Sequence, residues 1–178
     1  GGLSCVVGLA VLDVLVDLGV EDARLKWPND VWIQGSKLAG ILVELANRGS
    51  STIAVIGLGM NIALTPEERA AVDQPIADLL SRGVAVDRNS LLMAFVEKMA
   101  SYLRHFEHSG FEAFRSAFDA VHLLHRRNVV VYSATEGKSL LTHGSVEGVG
   151  GSGQLLIRTS RGLEEMLGGE VSLRPADH

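Results

Sequence analysis

Four extended segments follow one another between Arg24 and Ile62 with no helix between them: Arg24 to Trp27, Val31 to Gln34, Lys37 to Ala46 and Thr52 to Ile62. Only Pro28-Asn29-Asp30, Gly35-Ser36 and Asn47-Arg48-Gly49-Ser50 separate them, and these are turn-forming residues. Strands joined by such short connectors pair as hairpins, so this stretch predicts an antiparallel sheet.

The flanking segments have helical period. Leu3, Val6, Val7, Ala10, Val11, Val14, Leu15 and Leu18 predict a core helix ending at Gly19, where a left-handed cap suits glycine. This apolar start is not an export or membrane segment, because Asp13 and Asp17 interrupt it and no basic stretch precedes it. The abrupt beginning at Gly1-Gly2, without a methionine, reads as a fragment or an engineered scar. Thr65-Pro66-Glu67-Glu68 has the form of a capping box opening a short helix. Ile76 to Arg82 predicts another short helix ending near Gly83. Leu91 to Phe106 carries an apolar stripe along a long helix entered through Asp87-Arg88-Asn89 and closed at Gly110. Phe111, Phe114 and Phe118 continue as a separate helix.

Near Arg126 the composition turns β-rich: Val129 to Ala134, Ser139 to Glu147, Gln154 to Thr159 and Glu164 to Leu173, with Gly148 to Gly153 as a hairpin turn. The expected fold class is α+β, a largely antiparallel sheet with packed helices over residues 1–125, followed by a small β-barrel over residues 126–178. At 178 residues and 47% hydrophobic, the chain has ample material for a core. Its net charge of −5 opposes nucleic acid, so no DNA contact is expected through these residues. The single cysteine, Cys5, reads as a small buried hydrophobe, which fits a reducing cytoplasm.

Three segments carry chemistry. Lys26-Trp27-Pro28-Asn29-Asp30 delivers a cation, an aromatic ring and two short polar groups around a proline-fixed corner; the plainer reading is a hairpin turn with Trp27 in the core. Lys37-Leu38-Ala39-Gly40-Ile41-Leu42-Val43-Glu44 begins a hydrophobic strand with a lysine and removes a side chain at Gly40. That glycine admits a ligand or another backbone, or marks a bulge, with Lys37 an ordinary edge residue. Ile56-Gly57-Leu58-Gly59-Met60-Asn61-Ile62 has two glycines and a terminal amide. It lacks the third glycine and the following helix of a dinucleotide fingerprint, so a Rossmann reading is weak.

In this order and spacing the three segments resemble the biotin protein ligases, and the similarity extends through Asp87-Arg88-Asn89 to Gly168-Gly169-Glu170-Val171-Ser172-Leu173-Arg174. The resemblance implies a class II synthetase-like catalytic domain with a C-terminal β-barrel. It implies ATP and biotin as substrates, with Mg2+, and formation of biotinyl-AMP before transfer of biotin to a lysine of a carboxylase carrier domain, that of acetyl-CoA carboxylase by default. Lys37, Gly40 and Ile41 would contact biotin. Lys26, Trp27, Asn29, Asp30 and Asn61 would lie around the nucleotide, and Lys37 and Asp30 would be the catalytic pair, Asp30 as proton acceptor or lysine orienter. Homodimerisation through sheet edges is also implied, as is a cytoplasmic location.

The family's glycine- and arginine-rich loop and an earlier strand that contacts biotin, both expected before the first helix, have no counterpart from Gly1 onward, so little or no complete ligase activity is expected from these residues alone. The runner-up is a remnant that binds a carrier protein or self-associates, and a further alternative is a lipoate- or octanoyl-transferring relative. His105 and His108, and His122 and His125, are spaced as helix-borne metal ligands, but lack acidic or cysteine partners and read as ordinary exposed or helix-end histidines. Met60, Met93, Met99 and Met166 read as core fillers.

Overall fold

The computed structural model describes residues 2–49, 51–133, 139–168 and 171–176. Gly1, Ser50 in the third connector, Ala134, and Gly169 and Glu170 in the closing signature lie outside them.

Helix α1, Leu3–Asp17, is buried on nearly every side, from Cys5 to Leu12 and again at Val14 and Leu15. A helix apolar all round must be covered all round, and α1 packs on the first sheet, α3 and α4. It ends in a Schellman motif: Gly19 takes φ 81°, the Gly19 amide donates to Val16 O at 2.9 Å, and the Val20 amide donates to Leu15 O at 2.8 Å.

The first sheet comprises β1 Ala23–Lys26, β2 Asp30–Ile33, β3 Ser36–Arg48 and β4 Ser51–Met60, all antiparallel and in sequence order. The hairpin expectation therefore holds. Register then does what linear spacing only suggests. Lys26 stands opposite Asp30, Asp30 opposite Gly40 and Gly40 opposite Gly59. Residues directly opposite share one face of a sheet, so the three segments meet in one row across four strands.

Beyond the sheet, α2 Pro66–Ala70 opens with the full capping box, the Thr65 amide donating to Glu68 Oε2 at 2.8 Å and the Glu68 amide to Thr65 Oγ1 at 3.2 Å. The helix expected over Ile76 to Arg82 forms only at its end, as a 3-10 turn over Leu80–Arg82. Ile76 instead lies beside Lys37 in an isolated parallel bridge. The Lys37 amide donates to Pro75 O and the Ala77 amide to Lys37 O, both at 2.9 Å. A strand edge thus takes the backbone bonds a helix would have needed.

Helix α3, Arg88–Ser109, starts at Asp87, whose carboxylate accepts the Ser90 amide at 2.9 Å, and stops at Gly110 with φ 65°. A 3-10 turn over Phe111–Phe114 leads into α4, Arg115–Val121. Met93, expected in the core, is 58% exposed on α3, whereas Met60, Met99 and Met166 pack against the core.

The tail is a second antiparallel sheet of five strands: β5 Asn128–Ser133, β6 Leu140–Val149, β7 Leu155–Thr159, β8 Gly162–Met166 and β9 Val171–Pro175, in the order β8-β7-β6-β5-β9. Its five short, sequentially folded strands are consistent with a small barrel. The single strand expected over Glu164 to Leu173 is two: β8 pairs with β7, and β9 crosses to pair with β5. The Gly-rich stretch is a hairpin connection between β6 and β7, with the Gly150 amide donating to Gln154 O at 2.8 Å. Buried residues of both sheets belong to one hydrophobic cluster.

Candidate functional site

Asp30 of the row across the first sheet is ion-paired with Lys37, which stands opposite Trp32. Lys37 Nζ lies 2.6 Å from Asp30 Oδ1, with about a quarter of each side chain exposed. Gly40 lies beneath the pair: a Cβ there would stand 3.4 Å from Lys37 Nζ and 3.7 Å from Asp30 Oδ1. Both are ordinary contact distances, so the pair lies directly over the bare strand position and a methyl there would touch it without displacing it.

Lys26 extends over the Trp32 ring, its Nζ 4.7 Å from the centroid. Burial holds its ammonium below the usual lysine range, opposed by the Asp30 carboxylate and reinforced by the cations Lys37 and Arg174. Lys26 thus feels one carboxylate and two further cations, one of them Arg174 from β9 of the tail. Arg174 itself lies over the Tyr132 ring, 5.5 Å from its centroid. Such a cluster, with more positive than negative charge, attracts an anion.

Asn29 and Asn61 are structural anchors as well as polar groups. Asn29 Nδ2 donates to Ile41 O at 2.8 Å and the Ile41 amide donates to Asn29 O at 2.8 Å, which clamps the turn after Trp27 onto β3. Asn61 Nδ2 donates to Ala77 O at 3.0 Å and to Lys37 O at 3.4 Å.

Trp27 is 3% exposed and donates its indole N–H to Gly153 O at 2.9 Å. A Cβ on Gly168 would lie 3.3 Å from Pro28. The Lys26 to Asp30 corner is therefore where the tail docks on the first sheet, a role the sequence segment does not announce. Ile41 is 2% exposed, its side chain turned into the core near Gly8. It meets the site through its backbone.

Lys37, Gly40, Gly59 and Asn61 line one wall of a cleft of about 420 Å³, and Glu68 and Val72 lie on the other. That volume lies within the range of small-molecule pockets. Residues from Glu68 to Ile76, which complete this cleft, were missed in sequence reasoning because a short exposed helix carries no chemical signature; the capping box at Thr65 is its only local signal.

Among the described residues no group of three or more His, Cys, Asp or Glu side chains is arranged to hold a metal ion. His122 and His125 do not share a helix face, since α4 ends at Val121 and His122 is extended. His122 is also not exposed: it is 5% exposed beside Phe118, and burial pushes its pKa down to about 3. His105 packs on Phe114, and His108 Nδ1 lies 2.9 Å from Arg104 O. Cys5 is buried as expected, its thiol pushed up to about 12 by burial.

Residues 2–61 match the Biotin/lipoate A/B protein ligase family. The chain is 34% identical over 177 residues to the bifunctional ligase/repressor BirA of Escherichia coli, covering 99% of this chain and 54% of the relative. It is 32% identical over 175 residues to the biotin--[acetyl-CoA-carboxylase] ligase of Paracoccus denitrificans, covering 95% of this chain and 71% of that protein. The chain belongs to the biotin protein ligase family.

The fold agrees. The apo biotin protein ligase of Aquifex aeolicus superposes with a TM-score of 0.83 at 28% identity, covering 98% of this chain and 75% of that one. The structure of that ligase in complex with biotin and ATP gives a TM-score of 0.80 at 27% identity, with 98% and 72% covered. This member of the biotin protein ligase family spans about half the length of the BirA relatives it matches, 54% in each of two. The Paracoccus relative is named as a biotin ligase, and the relatives do not favour the lipoate- or octanoyl-transfer alternative. No helix among the described residues is long and apolar enough to cross a membrane.

Proposed function

We propose that this chain carries the ATP and biotin site of a biotin protein ligase, with Lys26, Asp30 and Gly40 of the row, and Lys37 beside it, at its centre. The observation that carries this reading is the Lys37–Asp30 pair, set 2.6 Å apart over a strand position without a side chain and beside the cleft that Asn61 lines. Two anions, a carboxylate and a triphosphate, must come together in the first half-reaction, and a cluster with excess positive charge is suited to that task.

In that step a biotin carboxylate oxygen bonds to the α-phosphorus of ATP while the bond to pyrophosphate breaks. Lys37, already aimed by Asp30, moves its charge onto the carboxylate and α-phosphate, and Lys26 offsets charge on the departing side. Asn61, fixed through Ala77 O and Lys37 O, directs its carbonyl oxygen at the nucleotide. Gly40 and the Ile41 backbone bound the biotin side. In the second half-reaction a carrier lysine amine bonds to the acyl carbon, the bond to AMP breaks, and Asp30 takes the amine proton. Trp27 contributes by holding the corner and the tail together.

The described residues form no cage for a resident metal, and Asp30 is already paired. Mg2+ would therefore travel with the nucleotide phosphates, as that ion commonly does, and no step above is routed through it.

The carrier domain of a carboxylase is the protein substrate of this reading, supported by the name of the Paracoccus relative. Self-association is supported by β4, which ends the first sheet's strand order, and by exposed Leu42, Leu45, Ile53 and Val55 on β3 and β4. We read residues 1–125 as the catalytic domain and 126–178 as the barrel.

The test is biotin-dependent exchange of labelled pyrophosphate into ATP. Exchange that needs biotin and disappears in Lys37→Ala supports the proposal, whereas exchange indifferent to Lys37 contradicts it.

A further inference from the structure

Helix α2 forms the outer wall of the cleft, yet nothing about its packing keeps it there. It has five residues, none of them buried. A helix so short has no independent stability, and its capping box fixes only its own first turn. Arg69 alone among the five residues is not exposed. Its Nη2 is ion-paired with Asp78 Oδ2, and its Nη1 donates to Ile76 O at 3.4 Å.

The partner is an unusual group. Asp78 is 1% exposed, the one buried carboxylate among the described residues. Its other oxygen accepts the Ser81 amide at 2.8 Å, which starts the 3-10 turn. A carboxylate is buried only when it is paired, and removing one partner of such a pair is costly. Asp78 is therefore a fixed point, and Arg69 attaches α2 to it.

The same segment is bonded to the inner wall. Pro75 O and the Ala77 amide hold both sides of Lys37, and Ala77 O accepts from Asn61. One stretch of chain, residues 75–78, thus touches Lys37 and Asn61 by its backbone and α2 by the Asp78 side chain.

We propose that Arg69 and Asp78 are positioning residues for the nucleotide: their ion pair sets the distance between the α2 wall, with Glu68 and Val72, and the Lys37–Asn61 wall of the cleft. This inference rests on the reading of that cleft as the ATP site. Neither residue touches substrate. Breaking the pair lets α2 drift and leaves the Lys37–Asp30–Gly40 side, where biotin's carboxylate is placed, unchanged.

The test is calorimetric titration of the protein with a non-hydrolysable ATP analogue and, separately, with biotin, using Arg69→Met, Asp78→Asn, the double variant and Arg69→Lys. Asp78→Asn keeps an acceptor for the Ser81 amide and removes only the charge. Expected is about a tenfold loss in nucleotide affinity for each single variant. The double variant should be no worse than either single one, Arg69→Lys should recover part of the loss, and biotin affinity should hold throughout. Amide exchange should quicken in Arg69→Met most strongly across residues 66–74, and the thermal midpoint should fall further in Arg69→Met, which leaves Asp78 buried and unpaired, than in the double variant, which leaves no unpaired charge. Unchanged nucleotide affinity in Arg69→Met, or equal losses for nucleotide and biotin, would overturn the inference while leaving the site reading intact. Absence of nucleotide binding to the unsubstituted protein would overturn the site reading and the inference with it.

Discussion

The Lys37 ammonium meets the Asp30 carboxylate at 2.6 Å above Gly40, so the bare position of β3 and the lysine near its start act on the same space. Substituting Lys37 by alanine should lower biotin-dependent pyrophosphate exchange by on the order of 10²- to 10³-fold, the usual consequence of losing one charge-stabilising donor. The pair is partly exposed, so the fold should survive with little change in thermal midpoint. Loss of exchange accompanied by unfolding would assign Lys37 a structural role instead.

Asp30 also governs its neighbour Lys26. Burial holds the Lys26 pKa below its ordinary value, and the Asp30 charge partly restores it. Asp30→Asn removes that restoring charge, so Lys26 should lose its proton at lower pH. The alkaline limb of nucleotide binding should accordingly move toward neutrality, as read from affinity measured across pH. A limb that stays in place would remove Lys26 from the set of groups that bind phosphate.

The local part of this architecture was readable from the chain. Gly19 as a left-handed cap, Thr65 with Glu68 as a capping box, Asp87 and Gly110 as the ends of α3, and the four hairpin strands are all decided by neighbours a few residues apart. Contacts over long separations decided the rest. Ile76 reads as helix until Lys37 takes the backbone on either side of it. Glu164 to Leu173 reads as one strand until β9 crosses the sheet to β5. The Lys26 to Asp30 corner was visible as a site by resemblance, but its indole bond to Gly153, 126 residues away, has no local signal. Nor does the pairing of Arg69 with Asp78.

The indole bond gives a stability test. Trp27→Phe keeps an aromatic ring in the core and deletes the N–H donated to Gly153 O. It should cost about 1 kcal/mol, the net value of such a bond, and Trp27→Ala about 3–5 kcal/mol through the cavity it leaves. Urea denaturation measures both. Equal stability of the Trp27→Phe variant and the parent would show that the tail docks without this bond.

His122 predicts an acid-side weakness. It is buried and neutral, with its pKa lowered from 6.5 to about 3, chiefly by burial and secondarily by His125. The unfolded chain therefore binds a proton between those values that the folded chain refuses. Stability from this residue is fully present above pH 6.5 and is lost as pH falls from 6.5 toward about 3. In His122→Phe the denaturation midpoint should fall less steeply over the same interval. Identical slopes for the two proteins would place the acid sensitivity elsewhere.

The most direct test of the account is calorimetric titration of the folded protein with a non-hydrolysable biotinyl-adenylate analogue, which fills the nucleotide and biotin sides at once. The account predicts saturable binding at one site that weakens in Lys37→Ala and in Asn61→Ala. A folded protein that releases no binding heat, or binding that ignores both substitutions, would contradict the assignment of the Lys37–Asn61 cleft.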